Sequence, residues 1–232
     1  IKISEQLGEE GEETKVLAES LIPDVHYRLA MNLYKQNKSI ETLEQLEKAE
    51  ETAVKFGDTK TQQKVEKTIP KFYYAMGVNS TKIEEYDKAI EFFEKAVQFK
   101  ADYADAYLGI AISYEKKNDA GKMLEYLKKT IEAATASNNN EKLDDAKKKG
   151  KNFLIIKGNE AQKAEQYVEA LKYYMNALEF DDTDASVYYQ LLVNNVKIED
   201  WDNALIYGNL ALEKGNDSID KAGVYYNLGL AY

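Results

Sequence analysis

A motif that returns after 34 residues constrains this chain more than any other feature of its sequence. Residues 70–103 read PKFYYAMGVNSTKIEEYDKAIEFFEKAVQFKADY, two helix-period patterns joined by a short polar turn. In the second pattern Ala89, Phe93 and Ala96 fall at i, i+4 and i+7, one face of a helix. In the first, Gly77 sits mid-helix, where it costs about 1 kcal/mol against Ala; its presence predicts the close approach of another backbone. Six starts follow along the chain, at Asp24, Pro70, Ala104, Lys151, Ala185 and Ala222, with spacings of 46, 34, 47, 34 and 37. Among the first five starts, those two units apart differ by 80, 81 and 81 residues, which points to duplication of a two-unit block. Residues 1–23 read as the end of a preceding unit or capping helices: Leu7-Gly8, Lys15-Val16 and Ile22-Pro23 echo Phe56-Gly57, Lys64-Val65 and Ile69-Pro70.

The columns of this alignment carry the fold. The fourth place holds Tyr27, Tyr73, Tyr107, Leu154, Tyr188 and Tyr225, and the eighth Met31, Gly77, Ala111, Gly158, Leu192 and Gly229. The twentieth holds Ala89, Met123, Ala170 and Ala204; the twenty-seventh holds Ala96, Thr130, Ala177 and Ala211. In the first unit, Thr42, Leu46 and Ala49 look like the matching contacts of its second helix, one place out of register. These columns resemble the tetratricopeptide repeat (TPR) family, whose pattern is W-x2-L-G-x2-Y followed by A-x3-F-x2-A. The resemblance spans residues 24–232. Unit 70–103 fits through Tyr73, Met76, Gly77, Tyr86, Ala89, Phe93 and Ala96, and unit 151–184 through Gly158, Tyr167, Ala170, Tyr174 and Ala177. Unit 104–137 departs at Met123 and Thr130, unit 185–221 at Leu192 and Gly208, and the family's late proline is missing throughout. The resemblance implies an all-α fold: a right-handed α–α superhelical solenoid of TPR-like helix pairs, with first helices lining a concave groove.

Local signals fill in the boundaries. Residues 12–22 and 58–69 should form helices that end or kink near Pro23 and Pro70. Residues 139–163 lack proline and predict one long helix with Gly150 as its weak point, entered from the loop Asn138-Asn139-Asn140. Asp119, Asp184 and Asp200 stand where N-caps are needed. The acidic run Glu9-Glu10-Gly11-Glu12-Glu13 reads as an exposed loop before a helix, and the last unit stops inside its first helix at Tyr232.

Composition limits function. A net charge of −10 argues against nucleic acid and against anionic membrane surfaces. No apolar run approaches the roughly 18 residues of a membrane span. There is no Cys and one His, so neither a nucleophile–base pair nor a thiolate or His-rich metal site can be built. No catalytic residue, cofactor or metal is expected. His26 reads as a capping or surface residue, Asp181, Asp182 and Asp184 as an inter-unit turn rather than a cation site, and Lys147, Lys148, Lys149 and Lys151 as a solvated basic face. A first residue other than Met, together with the lack of Cys, tilts the expectation toward an exported, periplasmic protein over a cytoplasmic one.

What remains is binding. The resemblance implies groove-facing positions on the first helices. At the fifth place these are Arg28, Tyr74, Leu108, Ile155, Tyr189 and Tyr226; at the ninth, Asn32, Val78, Ile112, Asn159, Val193 and Leu230; at the thirteenth, Lys82, Lys116, Lys163 and Lys197. An apolar floor edged by lysines suits a peptide or protein segment carrying acidic side chains. Some members of the family grip a terminal carboxylate with Lys, Asn and Arg on consecutive first helices. Arg28 with Asn32, and Asn159, match fragments of that clamp, but Tyr74, Val78, Leu108 and Ile112 replace its other partners. The expected function is a non-enzymatic protein-interaction scaffold; the alternative is a structural, self-associating segment.

Overall fold

The computed structural model describes residues 9–36, 38–215 and 219–232. Among the described residues there are eleven α-helices and no strand. They are α1 (Glu9–Lys35), α2 (Ser39–Phe56), α3 (Thr59–Lys82), α4 (Tyr86–Phe99), α5 (Ala104–Lys116), α6 (Ala120–Ala136), α7 (Asn140–Lys163), α8 (Tyr167–Leu178), α9 (Ala185–Lys197), α10 (Trp201–Gly215) and α11 (Lys221–Ala231). The chain divides into two compact units, residues 1–137 and 138–232. In the first, α1 pairs with α2, α3 with α4 and α5 with α6, while α2 also packs on α3 and α4 on α5. In the second, α7 pairs with α8 and α9 with α10; α8 also packs on α9, and α11 on α10 and α9. A two-helix hairpin cannot cover its own apolar face, so each borrows its neighbour's.

The helices form where the periodicity places them, and the small-residue columns are the core. Ala89, Ala170, Ala204, Ala96, Ala177 and Ala211 are fully buried, as is Thr130, with Met123 nearly so. Thr42, Leu46 and Ala49 of the first hairpin are also fully buried, as their shifted register predicted. Asp119, Asp184 and Asp200 cap α6, α9 and α10, each accepting from a backbone amide two or three residues on. Asp58, Asn139 and Asp220 do the same for α3, α7 and α11.

Every hairpin turn from α3 to α10 is the same device. Glu84, Asn118, Glu165 and Glu199, each at the fifteenth place of its unit, adopt left-handed φ angles of 61°, 59°, 59° and 59°. The next residue's amide then reaches back to the carbonyl of the eleventh place, 2.9 Å in all four turns (Glu85 to Ser80, Asp119 to Tyr114, Gln166 to Ala161, Asp200 to Asn195). This closes the helix C-terminus as a Schellman turn. A side chain in that conformation costs about 1 kcal/mol, offset by satisfying carbonyls the helix end would leave bare.

The glycines show what the departures from the family pattern mean. Gly77 does not meet a backbone: a Cβ there would lie 2.5 Å from the Phe93 ring, so the close neighbour is an aromatic side chain. A Cβ at Gly158 would lie 2.6 Å from the Tyr174 ring. The eighth place thus meets the twenty-fourth in three hairpins, as Gly77 with Phe93, Gly158 with Tyr174 and Leu192 with Gly208. In the last pair the sizes are reversed, so Leu192 and Gly208 keep the total volume nearly constant rather than breaking the pattern.

Four expectations are corrected. First, α1 and α3 run unbroken through Pro23 and Pro70. Proline removes one backbone bond at about 3 kcal/mol, but Pro70 is buried beside Val65, Ile69 and Tyr73, whose burial at roughly 1.5–3 kcal/mol each outweighs that loss. Second, residues 9–13 belong to α1 rather than to a loop. Third, Gly150 is no weak point: it is buried in α7 with the Phe180 ring filling the space a Cβ would need. Fourth, the burial register of the end hairpins is one residue earlier than aligned. Pro23 and Ala30 are buried where Asp24 and Met31 are not, and Val224 and Leu228 are buried where Tyr225 and Gly229 are exposed. Counted from Pro23, the first three starts become 23, 70 and 104, and among the first five starts those two units apart differ by 81. Leu7 and Gly8 lie outside the described residues.

Candidate functional site

The face to ask about is the side of the first helices that the second helices leave uncovered. In the first unit it carries Tyr74 and Val78 on α3 and Leu108 and Ile112 on α5, all half-buried. Tyr74 is not a free side chain: its ring sits 5.6 Å from Phe93 and 5.3 Å from Tyr103. That places one edge in the core and leaves the other at the surface. Burial pushes the Tyr103 phenol up to about 12, aided by Asp105 and Tyr74.

The register correction moves two candidates off this face. Counted from Pro23, the fifth and ninth places of α1 are Tyr27 and Met31, both half-buried like their counterparts. Arg28 and Asn32 lie one step round the helix. The Arg28 side chain is 80% exposed and pairs with Asp24 at 2.6 Å, which also receives Lys64 at 2.8 Å. Asn32 is exposed and accepts a bond from Gln36 at 3.1 Å. The clamp fragment Arg28–Asn32 is thus tied into α1's own surface.

In the second unit Ile155 and Asn159 on α7, and Tyr189 and Val193 on α9, are half-buried. Asn159 is committed elsewhere. The Tyr174 hydroxyl lies 2.7 Å from its Oδ1 and 2.9 Å from Gln162 Oε1, donating its single proton between them. Burial pushes that phenol up to about 12. Asn159 is therefore what allows a tyrosine to fill the Gly158 gap where the neighbouring pair uses Phe93. The Tyr189 hydroxyl occupies the space beside Gly223 on α11, 2.7 Å from where a Cβ would stand.

The lysines at the thirteenth place share one location. Lys82, Lys116, Lys163 and Lys197 are exposed in the last turns of α3, α5, α7 and α9. The corrected register adds Lys35, exposed in the last turn of α1. None of the five has an ion-pair partner among the described residues.

Other singled-out residues are structural. His26 lies inside α1, its Nδ1 2.8 Å from Gln45 Oε1, and so links α1 to α2 rather than capping a helix. Lys147 and Lys148 are exposed as expected, but Lys151 is not part of a solvated face. Its ammonium bridges Asp181 and Asp184, 2.8 Å from each, and so takes the place a cation would have had in that acidic run. Burial raises the Asp181 carboxyl, but Lys151 and the Thr183 hydroxyl and amide more than offset it, bringing it to about 2. A carboxyl lowered on folding stabilises the folded state above its unfolded value near 3.9 and loses that contribution as pH falls toward 2. Lys151→Met should therefore destabilise the chain at pH 6 by on the order of 1 kcal/mol, after allowance for solvent screening. The gap to wild type should close between pH 4 and 2 in thermal melts; a gap independent of pH would refute the assignment. Among the described residues no cluster of acids and His could hold a metal ion, and no helix is long and apolar enough to cross a membrane.

No family model matches the sequence, and no curated protein matches it. Solved structures do. A TPR repeats protein from Bacteroides fragilis NCTC 9343 superposes with a TM-score of 0.59 at 14% identity, covering 90% of this chain and 97% of its own. YrrB, a TPR protein, covers 87% of this chain and 89% of its own at 21% identity, with a TM-score of 0.35. The TPR2AB domain of yeast Sti1 covers 90% and 82% at 19% identity, with a TM-score of 0.32. Of these three the first superposes well enough to support an argument, and at that identity the argument concerns the fold. The chain has the tetratricopeptide-repeat fold that its sequence columns resemble.

Proposed function

We propose that this chain is a non-enzymatic interaction scaffold that holds a peptide or protein segment against the first-helix faces of its units. One observation carries this reading. On α1, α3, α5, α7 and α9, half-buried side chains at the fifth and ninth places, all apolar but Asn159, are followed at the thirteenth by exposed, unpaired lysines, in a chain whose net charge is −10. Lysine in a last turn is favoured by the helix dipole alone, but the dipole does not require an apolar row beside it. The segment that fits is extended or helical, apolar on one side and acidic on the other.

An array of synthetic peptides probed with the purified chain tests this. Bound sequences should be enriched in Asp and Glu with interspersed apolar residues. Lys82→Glu with Lys116→Glu should weaken them roughly twofold to thirtyfold, at about 0.2–1 kcal/mol for each exposed pair lost. Unchanged melting temperature with unchanged binding would remove the lysine row from the function.

A second reading, self-association, is favoured by one feature. Leu17, Leu21, Val25 and Leu29 form a stripe along α1 and are 43–64% exposed, whereas Ala106 and Ile110, at the third and seventh places of α5 like Val25 and Leu29 of α1, are fully buried. Light scattering over a concentration series separates the readings: a monomer throughout, with peptide binding intact, leaves the first.

A further inference from the structure

We propose that the cleft between α1 and α3 is an anchor pocket for one aromatic or large aliphatic side chain of an acidic segment, an inference that rests on the scaffold reading above and names part of its ligand. The cavity has a volume of about 380 Å³, within the range of roughly 300–1,000 Å³ for sites that enclose small ligands. Its walls are Met31 and Tyr34 from α1 and Phe72 and Ala75 from α3, and Lys67 and Lys71 line it from α3. In the corrected register Met31 and Tyr34 are the ninth and twelfth places of α1, so the cleft belongs to the same face as Val78 and Ile112.

Three features set it apart from the junction that follows. First, Tyr34 and Phe72 meet edge to face, centroids 4.8 Å apart at 81°. Where α3 meets α5 the same two places carry Thr81 and Ala106, and Ala106 is fully buried. Second, α2 packs on α3, whose amino-terminal half buries Thr61, Val65 and Ile69, while Tyr34 remains 57% exposed and Phe72 half-buried. An exposed aromatic pair offers a further ring both a face and an edge to pack against. Third, Lys67 and Lys71 are one helical turn apart, exposed, and without an ion-pair partner among the described residues. Two free ammonium groups beside an apolar cavity select carboxylates on either side of the anchoring residue, and they disfavour a basic partner by like-charge repulsion.

The probe is a fluorescein-labelled heptapeptide with six Asp and Glu residues around a central tryptophan, titrated with the full chain and followed by anisotropy. Wild type should bind it. Replacing the peptide's tryptophan by alanine should weaken binding about tenfold, and a peptide with Lys in place of the acids should not bind. Ala75→Trp, at an exposed position, should fill the cleft and weaken binding tenfold or more without lowering the melting temperature. Lys67→Glu with Lys71→Glu should do the same and flatten the salt dependence. No binding by wild type, or equal binding by these variants, overturns the proposal. Equal binding of a neutral tryptophan peptide overturns the acidic partner. Loss in the Lys82→Glu, Lys116→Glu protein alone would discard the pocket and keep the groove; loss in the α3 cleft variants alone would keep the pocket and discard the groove.

Discussion

Phe93→Ala is expected to destabilise the first unit by about 3–5 kcal/mol. The ring is 2% exposed and fills space left by two glycines on different helices. A Cβ at Gly77 on α3 would lie 2.5 Å from it, and one at Gly109 on α5 would lie 2.7 Å away. One side chain of α4 therefore joins three helices. Gly77→Leu alone should cost about 1–3 kcal/mol by overpacking, even though leucine is the better helix former. The double variant should be clearly more stable than the sum of the two losses, because the new leucine occupies part of the vacated ring volume. Urea melts followed by circular dichroism measure this; Trp201, the one tryptophan, lies in the second unit and reports on that unit. Strict additivity would mean that Gly77 and Phe93 do not share one space.

The second large effect belongs to the reversed pair. Leu192→Ala should cost about 3–5 kcal/mol, since Leu192 is fully buried and faces a glycine that cannot close the gap. Gly208→Leu should also be destabilising, because the Leu228 side chain of α11 already occupies the space beside Gly208. Combining the two should recover only part of the loss: the new leucine competes with Leu228 as well as filling for Leu192. Full recovery to wild-type stability would show that α11 contributes nothing to that contact.

The middle of the array was legible in the sequence because large and small residues alternate there without ambiguity. Gly77 against Phe93, or Gly158 against Tyr174, can be placed in one register. The end hairpins were harder for a physical reason. His26 and Tyr27, Ala30 and Met31, Val224 and Tyr225 are adjacent residues that could each sit inside, and neighbouring places on a helix differ by only 100°. The choice between them was settled by packing partners far along the chain. The same holds for the candidate site. The places proposed for its floor follow from the family resemblance rather than from any local signal. That Asn159 serves a buried phenol, or that Lys151 differs from Lys147 and Lys148, depends on Tyr174 and on Asp181 and Asp184, residues fifteen to thirty-three positions away. A lysine that meets aspartates a whole hairpin further on leaves no local mark.

Within each unit every helix rests chiefly on its immediate chain neighbours. That has a consequence in time rather than in space. Contacts close in sequence form quickly, because little loop entropy is lost before each is made. They also open piecemeal, one hairpin from its neighbour, at less than the cost of global unfolding. A segment bound along several first helices would add long-range links that the chain itself lacks. It would disfavour the opening of the hairpins it spans, by up to RT ln(1 + [L]/Kd). For such a protein a ligand is also a clasp: occupancy sets how often the hairpins it spans come apart.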